Sequence, residues 1–265
     1  MFLAINDIKE IAVKMTETIG VEYTSYRFSF FRRRISKIFD ELHINKVQDF
    51  YSLLANKKSA DDIAYRMLVA DTEMFRDPSM WRQMRKMLID RQQLNVWLPT
   101  LTNGYELFSL LAILKQANVK SPRIVVNSES QQAIDNVRNV VIPAKIHEVG
   151  VSNFERLELA DDSIDNYVDV VSDGYSFKNS MLENVEFRNK WFLSEAVERY
   201  DLIIARNAMI YYDNSLQERA IKRLSESMER NTILCIGVKE QLLYKIPNLN
   251  TKTSADGLYV KELIV

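Results

Sequence analysis

At 265 residues, with 47% apolar and 27% charged side chains, the chain can bury a sizeable core, and its composition excludes wholesale disorder. Its formal net charge of −1 provides no global field toward nucleic acid or an anionic membrane, so an anionic partner would need a local basic patch. A single cysteine rules out an intramolecular disulfide and a multi-cysteine metal centre.

The opening Met1-Phe2-Leu3-Ala4-Ile5-Asn6-Asp7 has no basic segment and turns polar too early for a secretory signal, which predicts a cytoplasmic protein. The first ~90 residues read as helices alone. Asp7 and Glu10 suggest a capping box, Ile8, Ile11 and Met15 share a face, and Gly20 ends the helix. A longer helix is predicted from Tyr23 to Leu42, with Phe28, Phe31, Ile35, Ile38 and Phe39 toward the core and Arg27, Arg32, Arg33, Arg34 and Lys37 opposite. A third holds Val47, Phe50, Tyr51 and Leu54; a fourth starts at Ser59 as N-cap, and a fifth at Asp77-Pro78.

After Gln93 the texture changes to alternating strands and helices. A strand at Leu94–Leu98 leads through a turn with Gly104 into a helix from Glu106 to Gln116. Its apolar run, Leu107 to Leu114, is too short to span a bilayer, so no membrane insertion is expected. A strand follows at Arg123–Asn127, then a helix at Gln131–Arg138 and a strand at Lys145–Val149. Three short stretches come next: Asp165–Val171, Gly174–Phe177 and Asn184–Arg188. They suggest a small antiparallel insert at about 150–192. The alternation resumes with a strand at Tyr200–Ile204, a helix at Leu216–Met228 and a strand at Thr232–Val238, in which Cys235 reads as a small core hydrophobe. Strands near Tyr244 and over Gly257–Val265 close the list. The resulting fold class is α/β: a helical domain over 1–88, then a mainly parallel, Rossmann-like sheet over 89–265 carrying the insert. His43 and His147 are isolated, so no metal site is expected.

Four stretches, in order, resemble the chemotaxis receptor methyltransferase (CheR) family, whose members methylate receptor glutamates with S-adenosylmethionine. They are Thr72-Glu73-Met74-Phe75-Arg76-Asp77-Pro78; Trp97 through Leu111; Tyr200-Asp201-Leu202-Ile203-Ile204-Ala205-Arg206-Asn207-Ala208-Met209-Ile210-Tyr211-Tyr212-Asp213; and Ile236-Gly237-Val238-Lys239-Glu240. The resemblance implies catalytic roles for Arg76 and Tyr211, near the transferred methyl and the target carboxylate. It implies cofactor contacts from Thr72, Gly104, Glu106 and Asn207. It also implies a chemoreceptor-like protein partner, docked through the basic helix Arg27–Lys37 or through the β insert.

The departures fall on the cofactor side. Thr100 stands where the family has its first glycine, Tyr105 replaces the first glutamate of a Glu-Glu pair, and Ser128 replaces the ribose-binding acid, with Glu129 next to it. Trp191 and Ala70 stand where the family has asparagines. Each lost polar contact costs on the order of 1 kcal/mol, so together they imply lost or weakened S-adenosylmethionine binding, with Tyr105 and Trp191 intruding on the ligand's space. On this reading the chain is a degenerate, protein-binding member of the fold. The alternative is an active methyltransferase of protein glutamates.

Overall fold

The computed structural model describes residues 3–159, 162–242, 245–253 and 256–261. The helical opening comprises α1 (Ile5–Ile19), α2 (Phe28–Glu41), α3 (Val47–Leu54), α4 (Lys57–Met67) and α5 (Pro78–Leu88). Ile8, Ile11 and Met15 of α1 meet Phe31, Ile35, Ile38 and Phe39 of α2, and Phe50, Ile63 and Met67 close the same core. Phe28, expected in that stripe, is exposed, and Phe30 is buried in its place. The Tyr23–Ser25 segment is a separate 3-10 turn, so α2 begins later than the pattern suggests. Helix α4 is capped by Asn56, not Ser59: the Asn56 side chain accepts from the amides of Lys58 and Ser59. The start of α1 moves to Ala4, with Asp7 accepting the Ala4 amide at 3.0 Å. Helix α5 buries Met80, Trp81, Met84 and Leu88 against the sheet, not against α1–α4.

The remaining elements are β1 (Gln93–Leu98), α6 (Tyr105–Gln116), β2 (Ser121–Ser128), α7 (Gln131–Arg138), α8 (Ala144–Glu155), β3 (Val168–Val171), β4 (Gly174–Phe177), β5 (Val185–Asn189), β6 (Tyr200–Ala205), α9 (Asn214–Glu226), β7 (Met228–Ile236), β8 (Leu249–Thr253) and β9 (Leu258–Lys261). Seven strands form one sheet in the order β5-β2-β1-β6-β7-β9-β8. The first five are parallel, while β9 runs antiparallel to β7 and β8 antiparallel to β9.

Strand side chains alternate between two cores. Leu94, Val96, Leu98, Ile124, Val126, Leu202 and Ile204 face the layer of α5 and α6. Trp97, Val125, Ile203, Leu234 and Ile236 face Leu216, Ala220, Ile221 and Leu224 of α9. From β1 the chain works outward through β2 to β5, then returns to β6 on the other side of β1. That reversal is a topological switch point, and in open α/β sheets ligands bind outside the strand carboxyl ends there.

Two strand expectations are corrected. Residues 145–149 lie in helix α8, which buries His147, Gly150, Asn153 and Phe154, a spacing of three and four. The stretch 184–188 supplies β5, which pairs parallel to β2 at the edge of the main sheet; the antiparallel pairing here is the hairpin β3–β4, with a single bridge from Tyr175 to Ile142. Tyr244 and residues 262–265 lie outside the described residues.

Candidate active site

Four segments converge at the switch point around a cleft of about 810 Å3, counting the solvent space at its mouth. The first is the turn from β1 to α6. Gly104 has φ +88, and a Cβ there would sit 2.8 Å from Val137, so only glycine fits this turn without displacing its neighbour. The second is the segment before α5, in which Phe75 (φ 51) and Asp77 (φ 61) hold left-handed conformations costly for side-chain-bearing residues. Tertiary bonds impose them. The Phe75 amide donates to Ser109 Oγ at 2.8 Å, Asn153 donates to the Met74 carbonyl at 2.9 Å, and Trp81 Nε1 donates to the Arg76 carbonyl at 2.9 Å. Arg76, set between the two strained residues, is thereby presented to the cleft.

The third segment follows β6. Arg206 is buried, donates to Glu106 at 2.9 Å and pairs with Asp77, so it ties the first two segments together. Burial works against its charge, but Glu106 and Asp77 more than offset this and raise its pKa. Burial also pushes the Glu106 carboxyl up to about 8 despite the guanidinium beside it. Beyond Arg206, the Glu240 carboxylate accepts the amides of Asn207 (2.7 Å), Met209 (2.9 Å), Ile210 (3.3 Å) and Gly237 (2.9 Å). A Cβ at Gly237 would lie 2.4 Å from Asn207 Oδ1, which explains the glycine there. This knot fixes Tyr211, whose ring stacks on Phe30 of α2 with centroids 4.3 Å apart.

The fourth segment follows β2. Ser128 is fully buried and bonds weakly to the Leu101 carbonyl at 3.4 Å. Its neighbour Glu129 lines the cleft, and burial pushes its carboxyl up to about 7.

Of the residues singled out from the sequence, Arg76, Tyr211, Gly104, Glu106 and Asn207 line this one cleft. Thr72 is exposed and is not part of its wall; Asp71 takes the place on the wall. Neither Tyr105 nor Trp191 is among the residues lining the cleft. Tyr105, the first residue of α6, is buried in the sheet core, and Trp191 packs against Phe192. Arg206, Asp71 and Glu240 were not among the sequence candidates, although Arg206 and Glu240 both lie inside the stretches that carry the resemblance.

The family model for the CheR methyltransferase SAM-binding domain matches residues 70–257. The chain belongs to the CheR methyltransferase family. It is 23% identical over 244 residues to the chemotaxis protein methyltransferase of Listeria monocytogenes, covering 88% of this chain and 90% of that one. The chemotaxis protein methyltransferase of Listeria innocua is 24% identical with the same coverage. Among solved structures, magnesium protoporphyrin IX methyltransferase from Synechocystis with bound SAM aligns with TM-score 0.33 and 14% identity, over 89% of this CheR-family chain and 77% of that protein. No described helix is long and apolar enough to cross a membrane.

Proposed function

We propose that the switch-point cleft binds S-adenosylmethionine and that the chain methylates a carboxylate on a chemoreceptor-like protein. The observation carrying this reading is the charge pattern of the cleft: Asp71, Glu106 and Glu129 on its wall, with Arg76 and Tyr211 beside them. Carboxylates whose ionisation is held back by burial favour a cationic guest, and the cofactor is a sulfonium with an ammonium group. Asn207, Gly104 and Glu106 would hold it, with Glu129 in reach of the role vacated by Ser128. Bound cofactor supplies an electrophilic methyl group. Arg76 and the Tyr211 phenol would orient the incoming carboxylate for in-line attack.

The basic face of α2 supports a protein substrate. Arg27 donates to the Tyr212 carbonyl at 3.0 Å, and Arg34 donates to the Leu68 carbonyl, so both brace the cleft. Arg32, Arg33 and Lys37 remain exposed, and Arg33 acts electrostatically on Tyr211, which places positive charge at the mouth. The β3–β4 hairpin, with Val170 81% exposed, is a second candidate docking surface.

A second reading, a protein-binding module without methyl transfer, draws on the turn at 99–104. It keeps one glycine, and Tyr105 offers the ligand no carboxylate. Methyl-labelled S-adenosylmethionine incubated with receptor-rich membranes separates the two. Base-labile label in protein, lost in Arg76→Ala, supports the enzyme; cofactor binding without any labelled protein supports the module.

A further inference from the structure

We propose that Asp71 receives the ammonium end of the ligand in this cleft, a role that rests on the cofactor reading above. Two carboxylates near the cleft already have a cation from the protein. Arg206 pairs with both Glu106 and Asp77, so those two carboxylates share a cation supplied by the protein. Among the described residues no ion pair joins Asp71 to any cation, although Arg206 and Arg76 both act on it through space.

Asp71 is also held in place. The Thr102 hydroxyl donates to its Oδ2 at 3.0 Å, and Asn103 Nδ2 donates to its backbone carbonyl at 2.8 Å. Both partners belong to the β1–α6 turn, so the residue is bolted to the element that borders the switch point. The first residue of α6, Tyr105, is committed to the sheet core. Asp71 is thus the carboxylate at this turn whose charge is left for a guest. A partly buried carboxylate with only hydroxyl and amide donors gains most from a cation that brings its own donors.

The competing role is structural. Gly104 caps α6 without a side chain, and the Glu106 amide acts on Asp71, so the carboxylate also serves that helix end. Asp71→Asn keeps the oxygen acceptor and removes the charge. Two ligands separate the roles: S-adenosylhomocysteine, and its desamino analogue, in which hydrogen replaces the ammonium. In wild-type protein the analogue should bind about tenfold or more weaker, the size of one charge-assisted hydrogen bond. In Asp71→Asn the gap should close to within about twofold, because only the ammonium-bearing ligand loses affinity. Equal affinity of the two ligands for wild-type protein overturns the assignment while leaving the cofactor reading intact, and needs no variant to fold. Parallel loss of both ligands in Asp71→Asn also overturns it, in favour of the structural role. If wild-type protein takes up neither ligand, the cofactor reading itself fails, and this assignment with it.

Discussion

The two sides of the switch point are built differently. On the β6–β7 side, the stretch from Arg206 to Tyr211 is fixed by one carboxylate, Glu240, which satisfies four backbone amides. On the β1–β2 side, the turn at 99–104 has one glycine, Ser128 is buried, and its neighbour Glu129 lines the cleft. The first side tolerates little change at Glu240, because its carboxylate is the partner of those four amides. The second carries three carboxylates, Asp71, Glu106 and Glu129, on the cleft wall. Substitutions on the two sides should therefore differ in what they damage: folding on the first, ligand affinity on the second.

The largest effect is expected at Glu240. Glu240→Ala strands buried amides and should lower stability by roughly 3–5 kcal/mol in urea unfolding. A loss below ~1 kcal/mol would mean that the amides find other partners. Gly237→Ala forces a methyl group against Asn207 and should cost about 1–3 kcal/mol. Arg206→Met leaves Glu106 buried without its cation, a loss of about 3 kcal/mol that adding Glu106→Gln should partly restore. If the double variant is no more stable than the single one, the two residues are not coupled as described. Smaller still is the response of the surface. Arg32→Glu with Arg33→Glu should change stability by less than about 0.5 kcal/mol and reduce methylation of a receptor in a salt-dependent way. Arg34→Glu should destabilise, because Arg34 is hydrogen-bonded to the loop after α4.

How far this was legible in the sequence follows the same division. Asn207 and Tyr211 could be placed together from sequence because one strand and the loop after it carry both, and they line one cleft. Helix α7 matched its predicted limits because Ser130 caps it and the apolar spacing is helical. Helix α8 was missed because its buried face includes His147, Gly150 and Asn153, which an apolar pattern ignores, while Ile146, Val149 and Val151 mimic a strand. Strand β5 is half exposed, and its parallel partner β2 lies some sixty residues away, a pairing that no local pattern encodes. The acidic wall was illegible for a similar reason. Asp71 and Glu129 matter through which side of the backbone they face, and a one-residue shift decides that.

The acidic wall has a pH signature. Burial raises the Glu129 carboxyl to about 7, above its value in the unfolded chain, so the folded state holds that proton more tightly. Its contribution to stability is therefore full below the ordinary carboxylate pKa and fades as pH rises through about 7. Glu129→Gln should flatten that part of the stability profile between about pH 5 and pH 8. Identical slopes in the variant and the wild type would remove Glu129 from the account.

The most direct test is calorimetric titration of wild-type protein with S-adenosylmethionine between pH 6 and pH 8.5. An acidic wall waiting for a cation predicts saturable binding that tightens as pH rises through about 7, where Glu129 becomes charged, with the gain lost in Glu129→Gln. No heat at up to ~1 mM ligand at any pH, which bounds the affinity to worse than about −4 kcal/mol, would contradict the cofactor reading and leave the protein-binding module in its place.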